Sequence, residues 1–179
     1  MTLYKTIYQS PLGPISLIAD ESALIGAWFF NQKYFEDGIK QVPLEGVNAP
    51  LAAACQWLDA YFKQEKPAAA DFIALKGTDF RQRVWTYLQT IPHGETRTYG
   101  QIAKALNCQS AQAVGGAVGH NPLSIFVPCH RVLGSQGQLT GYAGGLDKKI
   151  WLLEKEKGQT CTLFMNTQNV PLVEKPRQI

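Results

Sequence analysis

The sequence predicts an α+β protein in which a small antiparallel sheet with one helix precedes a helical unit that contains a helix-turn-helix. Three observations carry this prediction: β-rich runs separated by turn residues at the start of the chain, short capped helices in its middle, and a change in net charge between these parts. Hydrophobic residues make up 45% of the 179 residues and charged residues 17%, so the chain can bury a core and is neither disordered nor fibrous.

The first unit, placed at residues 1–75, starts with three β-rich runs. They cover residues 3–8, 13–19 and 24–31. The residues between these runs are rich in Ser, Pro, Gly and Asp, which favour tight turns, so an antiparallel meander is expected.

One helix completes the first unit. Asn48 followed by Pro50 is typical of an N-cap with a proline in the first turn, and this pattern predicts a helix from Ala49 to about Gln64. Pro67 ends the helical pattern, because proline cannot continue a helix.

The second unit, placed at residues 76–158, contains three short helices with capping residues. Asp79 is predicted to cap a helix at residues 80–91, Thr98 a helix at residues 99–106, and Ser110 a helix at residues 111–119. The last two have the proportions of a helix-turn-helix. The third helix consists of small residues, although Gly115 and Gly116 each cost up to about 1 kcal/mol relative to Ala. Close packing against another helix and docking against nucleic acid explain such a surface equally well.

The rest of the second unit surrounds a Cys-His pair. The expected elements are a short buried strand at residues 124–127, a turn at 134–137, a loop at 142–145, and a helix at 146–157 with Ile150, Trp151 and Leu153 in the core. Residues 159–179 are expected to form a loosely packed or disordered tail.

Net charge differs between the parts of the chain. Residues 1–75 carry −3, residues 76–132 carry +4 and residues 133–179 carry +2, for a total of +3. A basic middle segment fits an anionic partner such as nucleic acid, and a chance fluctuation of solvated charges fits it as well.

Compartment and metal content are inferred from the apolar runs and the cysteines. No stretch approaches the roughly 20 apolar residues of a membrane span, and the N-terminus lacks the pattern of a signal peptide, so a cytoplasmic protein without membrane contacts is expected. The four cysteines, Cys55, Cys108, Cys129 and Cys161, are spaced too widely to suggest a disulfide framework or a pair of zinc ligands. Neither a metal nor a cofactor is expected.

Cys129 and His130 are the candidate chemical pair. The thiolate is the nucleophilic form of cysteine, and an imidazole oriented by a carboxylate can generate it at neutral pH. Neighbouring residues of a strand point to opposite faces, so His130 would reach the thiol only if the backbone turns there or a water molecule bridges the two. A buried structural Cys next to a hydrogen-bonded His is the alternative.

The sequence around this pair resembles a known family. The run NPLSIFVPCHRVLG, preceded by AVGGAVGH and followed by GYAGG and a helix bearing carboxylates, is similar to the active-site region of the DNA alkyltransferases that repair 6-O-alkylguanine. The resemblance covers residues 76–158, and residues 1–75 match the family's N-terminal domain in size and strand order. It implies an RNase H-like N-terminal domain and a winged-helix-like C-terminal domain.

The resemblance also implies catalytic roles for individual residues. Cys129 matches the alkyl acceptor, and His130 matches the base that deprotonates it through water. Glu156 matches the carboxylate that orients the imidazole. Asn121 matches the residue that braces the turn between recognition helix and active site, and Tyr99 matches the donor that protonates the departing guanine.

Three further positions match the base pocket of the family. Tyr142 and Ala143 match walls of this pocket, although Ala143 stands where a small hydroxyl residue is often found. The backbone carbonyls of Val132 and Cys129 match the groups that read the exocyclic amine of guanine.

The family's DNA contacts lie around the helix-turn-helix. The matching residues are Thr98, Ala111, Gln112, Gly115, Gly116, His120 and Arg131. In the family this helix enters the minor groove of double-stranded DNA, and the damaged base flips into the pocket. Gln112 replaces the usual arginine that fills the vacated stack, and the turn between Tyr99 and Gln112 is one residue shorter. The chemistry is therefore expected to survive, while the handling of duplex DNA is expected to differ.

The expected function is DNA repair by a monomer that transfers the alkyl group irreversibly to Cys129, once per molecule. A protein that binds lesions without reacting is a second reading, but such relatives lack the acceptor cysteine that this chain has. A thiol hydrolase is a third reading, and it would need an oxyanion hole for which the sequence around Cys129 offers no evident donors.

Overall fold

The computed structural model describes residues 1–158, and the α+β class predicted from the sequence is confirmed. A sheet with one helix occupies the first half of the chain, and helices dominate the second half. The expected tail at residues 159–179 lies outside the described residues.

The N-terminal sheet has the strand order β3-β2-β1-β4. Its strands are β1 (Tyr4–Ser10), β2 (Gly13–Ala19), β3 (Leu24–Phe29) and β4 (Leu44–Glu45). The first three form the predicted antiparallel meander. The short β4 pairs in parallel with β1, and the sequence does not predict it because two residues show no periodicity.

Helix α1 (Ala49–Phe62) packs on this sheet. As predicted, Asn48 is its N-cap, and the Asn48 side chain accepts a hydrogen bond from the backbone N–H of Leu51 at 3.2 Å. The buried side chains recur every three or four residues and so form one helical face. They are Leu51, Ala54, Leu58 and Tyr61, and Pro50 in the first turn is buried beside them.

Three helices follow in the second half. They are α2 (Asp79–Leu88), α3 (Tyr99–Ala105) and α4 (Ala111–Gly119). Thr98 and Ser110 cap α3 and α4 as predicted, and Thr98 forms a capping box with Gln101. The indole N–H of Trp85 donates to the backbone carbonyl of Ala117 at 2.8 Å, which fixes α2 against α4.

The start of α2 differs from the sequence prediction. Thr78 is the N-cap, because its hydroxyl accepts a hydrogen bond from the backbone N–H of Arg81 at 3.3 Å. Asp79 is instead the first helical residue, where a negative charge interacts favourably with the helix dipole. The helix ends at Leu88 rather than at residue 91.

The segment after α4 does not form the predicted strand at residues 124–127. The chain turns there instead, because Ile125 has a φ of 72° and the N–H of Val127 donates to the carbonyl of Leu123 at 2.9 Å. The Asn121 side chain braces this turn: its Oδ1 accepts from the N–H of Leu123 at 2.9 Å, and its Nδ2 donates to the carbonyl of Val127 at 2.8 Å. The chain then continues as a single 3-10 turn at Cys129–Arg131. Cys129 and His130 therefore lie on a turn and not at the end of a strand.

Two contacts hold this turn in place. The backbone N–H of Ala27 in β3 donates to the carbonyl of Pro122 at 2.8 Å, and the N–H of Ser124 donates to the carbonyl of Ala27 at 3.0 Å. These bonds fix the segment that leads into the turn. Strands β5 (Arg97–Thr98) and β6 (Val132–Leu133) pair in parallel, so the start of α3 lies beside the end of the turn.

Helix α5 (Leu146–Glu156) closes the described part of the chain. Ile150, Trp151 and Leu153 are buried as predicted. Within residues 1–158, every helix is too short or too polar to cross a membrane.

Candidate active site

Cys129 faces a cavity of about 320 Å³. Several residues that the sequence singled out share its lining. They are Tyr99, Gly115, Gly116, His120, Cys129, Tyr142 and Ala143. The volume is within the range of roughly 300–1,000 Å³ that encloses small organic ligands.

The thiol of Cys129 is buried and bound by Asn121. Nδ2 of Asn121 donates to Sγ at 3.1 Å, in addition to its bond with the Val127 carbonyl. Burial raises the pKa of the Cys129 thiol, and the Asn121 hydrogen bond and the charge of Lys149 only partly oppose this. Cys129 therefore rests as a thiol at neutral pH and needs a base to become a nucleophile.

The imidazole of His130 is fully buried against Glu156. Its Nε2 lies 2.6 Å from Oε1 of Glu156, and because a carboxylate only accepts, this bond places the proton on Nε2 and leaves the lone pair on Nδ1. That Nδ1 has no hydrogen-bond partner among residues 1–158. Burial lowers the His130 pKa more than the Glu156 charge raises it, so the ring is neutral at pH 7 and can accept a proton.

The guanidinium of Arg131 also binds the carboxylate of Glu156. Its Nε and Nη2 donate to the two oxygens of Glu156, both at 2.8 Å, and its Nη1 donates to the carbonyl of Ile91 at 2.7 Å. Arg131, which is placed among the DNA contacts from the sequence, has a buried guanidinium in this structure and serves as counter-ion to Glu156. Burial alone would raise the Glu156 pKa, but His130 and Arg131 outweigh it and hold the pKa well below its ordinary value.

Tyr61 of α1 also reaches this carboxylate. Its hydroxyl donates to Oε1 of Glu156 at 2.7 Å, and both side chains are buried. The N-terminal half thus contributes one hydrogen bond to the His130–Glu156 network. The sequence does not single out Tyr61, since nothing in the helical pattern indicates a polar partner 95 residues away.

Tyr99 and Tyr142 bring phenol groups to the cavity. Burial raises the pKa of Tyr99 above its ordinary value, and burial followed by the neighbouring Cys129 and Glu156 raises that of Tyr142 much further. Both hydroxyls are therefore protonated at neutral pH and able to donate.

A buried lysine that sequence reasoning missed organises the other side of the site. Nζ of Lys149 donates to the carbonyl of Val132 at 2.6 Å, and to those of Thr140 at 2.8 Å and Gly141 at 3.3 Å. Burial lowers its pKa to about 8. The sequence feature that could have indicated its burial is its position four residues before Leu153, on the same face of α5. The Val132 carbonyl oxygen therefore accepts a hydrogen bond from Lys149 and keeps one lone pair for a second donor.

The expected DNA-contacting residues of α4 lie at the surface. Ala111, Gln112 and Gly116 are exposed, and Gly115 is half-buried. A Cβ added at Gly116 would meet no atom within 4 Å, and one added at Gly115 would only touch the Tyr99 ring at 3.8 Å. Packing inside the described part of the chain therefore does not require glycine at these positions.

Thr98 and His120 each make a defined local contact. The Thr98 hydroxyl oxygen accepts from the backbone N–H of Gln101 at 3.1 Å in the cap of α3. Nδ1 of His120 lies 2.7 Å from the carbonyl of Gly116, and the ring stacks on Tyr34.

Comparison with known families gives matches over both halves of the chain. Residues 3–75 match the family model described as 6-O-methylguanine DNA methyltransferase, ribonuclease-like domain, and residues 79–158 match the model for the DNA binding domain of the same family. A methylated-DNA–protein-cysteine methyltransferase of Mycobacterium bovis is 45% identical over 168 residues, covering 92% of this chain and 99% of the relative. One of Methanosarcina acetivorans is 40% identical, covering 86% and 98%.

Solved structures give the same result. The crystal structure of Mycobacterium tuberculosis OGT in complex with DNA is similar with a TM-score of 0.79 and 44% identity, covering 87% of this chain and 93% of that one. An O6-methylguanine methyltransferase from Methanococcus jannaschii is similar with a TM-score of 0.61 and 32% identity, covering 87% and 95%.

Proposed function

The chain belongs to the 6-O-methylguanine DNA methyltransferase family, and from that premise we propose that it repairs DNA by accepting the alkyl group of 6-O-alkylguanine on Cys129. The observation that supports Cys129 as the acceptor is the immediate environment of its side chain. Cys129 combines a thiol that faces a cavity with an adjacent buried imidazole that hydrogen-bonds a carboxylate. Relatives named methylated-DNA–protein-cysteine methyltransferase support the reaction type.

Nucleophilic attack by Cys129 starts with removal of the thiol proton. His130 takes this proton at Nδ1, through a bridging water molecule, and the resulting imidazolium is stabilised by the negative charge of Glu156. The thiolate sulfur then attacks the alkyl carbon. A carbon–sulfur bond forms, the bond between that carbon and the guanine oxygen breaks, and its electron pair remains on the guanine.

Proton donation makes guanine a better leaving group. Tyr99 supplies this proton, because its hydroxyl is held in the protonated form beside the cavity. Tyr142 and Ala143 form walls around the base. The free lone pair of the Val132 carbonyl and the Cys129 carbonyl accept from the exocyclic amine of guanine.

Double-stranded DNA is the partner in this proposal, and residues 76–158 form the unit that binds it. Helix α4 would enter the minor groove, with Ala111, Gln112, Gly115 and Gly116 at the surface. The open space around Gly116 supports this, since the small residues then serve an external contact. A base inside a duplex cannot be attacked at its 6-oxygen, so the lesion would flip into the cavity. The protein would act in the cytoplasm as a monomer.

Each molecule would act once, because water does not cleave the carbon–sulfur bond of a thioether at neutral pH. This separates the proposal from a thiol hydrolase, which turns over. The presence of Cys129 with its bound Asn121 separates it from a lesion-binding protein that does not react.

A stoichiometric assay tests the proposed function. The protein is mixed with a tenfold excess of duplex oligonucleotide carrying one 6-O-methylguanine, and restored guanine is measured after digestion. We expect a plateau at one guanine restored per protein molecule, whatever the excess of DNA. Continued turnover beyond this plateau, or no restored guanine, would overturn the proposal.

A further inference from the structure

The loop that follows β3, residues 31–38, brings a side chain of the N-terminal half to the cavity of Cys129. Lys33 and Tyr34 line this cavity together with residues of the second half. The backbone N–H of Lys33 donates to the carbonyl of Ala143 at 3.1 Å, so the loop is joined to the pocket wall.

The ring of Tyr34 stacks on His120. The ring centroids are 4.0 Å apart and the planes are inclined by 23°. The hydrogen bond to the Gly116 carbonyl holds the His120 ring at the end of α4, one residue before the Asn121 that binds the Cys129 thiol. The stack therefore forms a wall of the cavity in which both rings have fixed partners.

The backbone around Tyr34 is constrained in an unfavourable conformation. Asn31, Tyr34 and Glu36 have φ values of 65°, 60° and 52°, in the left-handed region that side chains other than Gly rarely adopt. Such a conformation persists only where other contacts enforce it. Here the Glu36 carboxylate accepts hydrogen bonds from the Ser16 hydroxyl at 2.7 Å and from Lys5.

The large side chains of the cavity lining are the groups that can limit the size of a substituent. Five of the twelve lining residues are glycine or alanine, which leaves space, and the aromatic ones are Tyr34, Tyr99, His120 and Tyr142. Tyr99 and Tyr142 already have roles toward guanine in the proposed function. The Tyr34–His120 stack is the remaining aromatic surface in the lining that residues 1–158 provide.

We propose that Tyr34, held by its stack with His120, restricts the size of the 6-O-substituent that the cavity accepts. This inference rests on the proposed function and adds a specificity residue from the N-terminal half. A benzyl group needs more space beside the stack than a methyl group does, so reaction of the benzyl group at Cys129 is the one that the Tyr34 ring would slow.

The test compares two free bases, which need no DNA docking. Second-order rate constants for alkylation at Cys129 are measured by intact mass with 6-O-methylguanine and with 6-O-benzylguanine, for wild type, Tyr34→Ala and Tyr34→Phe. The intrinsic difference in reactivity between the two groups cancels when the ratio of benzyl to methyl rates is compared between a variant and wild type. We expect Tyr34→Ala to raise this ratio at least fivefold, whereas Tyr34→Phe, which keeps the ring and the stack, retains the wild-type ratio.

His120→Ala provides a second variant, because loss of its ring frees Tyr34 to move and should raise the ratio in the same direction. Thermal unfolding of each variant checks that the loop change leaves the fold intact. An unchanged or lower ratio in folded Tyr34→Ala overturns the role of Tyr34. A wild-type protein that accepts an alkyl group at Cys129 neither from these bases nor from duplex DNA carrying 6-O-methylguanine refutes the proposed function itself.

Discussion

His130 and Glu156 form a buried hydrogen bond of 2.6 Å between Nε2 and Oε1. The carboxylate is also paired with the guanidinium of Arg131. Before the reaction, the network therefore consists of a neutral imidazole next to an ion pair whose two charges cancel. A proton accepted by His130 creates an imidazolium whose closest charge is the Glu156 carboxylate. The network therefore favours formation of the Cys129 thiolate only while Glu156 is ionised.

Glu156→Gln should slow alkyl transfer and change its pH dependence. The amide cannot stabilise the imidazolium, so we expect a loss of about 10- to 100-fold at pH 7. Because burial raises the Cys129 pKa, the wild-type rate depends on the base at neutral pH, and the variant should recover at higher pH as the thiol ionises unaided. Rates with free 6-O-benzylguanine between pH 6 and 10 measure this.

Tyr61→Phe is the matched control for that experiment. It removes one hydrogen bond to the same carboxylate oxygen but keeps the charge. We expect it to retain the shape of the wild-type pH profile. A Glu156→Gln profile that runs parallel to wild type at every pH would exclude the proposed role of the carboxylate.

Arg131→Met should destabilise the fold without weakening DNA binding. The substitution leaves the Glu156 carboxylate without its buried counter-ion, which costs about 3–5 kcal/mol of unfolding free energy. Urea denaturation measures this loss, and DNA affinity is compared at a temperature at which the variant is folded. If the variant keeps wild-type stability but binds DNA more weakly, Arg131 contacts DNA and does not serve mainly as the counter-ion of Glu156.

Lys149→Met should impair transfer even to a free base. Methionine keeps the length of the buried side chain but removes the donor from the carbonyls of Val132, Thr140 and Gly141. These carbonyls belong to the segments that carry the proposed guanine-reading group and the Tyr142 loop, so we expect about a tenfold lower rate with 6-O-benzylguanine. Equal rates in the variant and wild type would mean that Lys149 serves only packing.

Gln112→Arg should accelerate the reaction with duplex DNA alone. Gln112 is exposed in the first turn of α4, and arginine there would add a charge near the phosphates and a longer side chain to fill the vacated stack. If about 1 kcal/mol of the flipping cost is recovered, the duplex rate rises about fivefold. The rate with free 6-O-benzylguanine should stay constant. Acceleration on both substrates would show that the residue acts on chemistry and not on flipping.

The sequence predicts most helices and strands because their signals are local. Thr98, Ser110 and Asn48 cap helices where hydroxyl or amide side chains precede a helical pattern. The strand expected at residues 124–127 is wrong because an apolar run looks the same whether its backbone is extended or turns, as it does here at Ile125 with a φ of 72°.

The candidate site is predictable where a motif carries it and not where it depends on distant contacts. The run around Cys129 indicates the acceptor and its base. The hydrogen bonds of Tyr61 and Lys149 and the stack of Tyr34 depend on chain segments that meet only in the folded protein. The burial of Arg131 has the same origin, since its charge alone favours a surface position.

Intact mass spectrometry tests the assignment of Cys129 as alkyl acceptor most directly. Wild type and Cys129→Ala are each incubated with duplex DNA containing one 6-O-methylguanine, and peptide mapping then locates any added group. The assignment predicts that wild type gains one methyl group in place of the thiol proton, on the peptide that carries Cys129, and that Cys129→Ala gains nothing. A methyl group on Cys55 or Cys108, or an equal gain in Cys129→Ala, would contradict it.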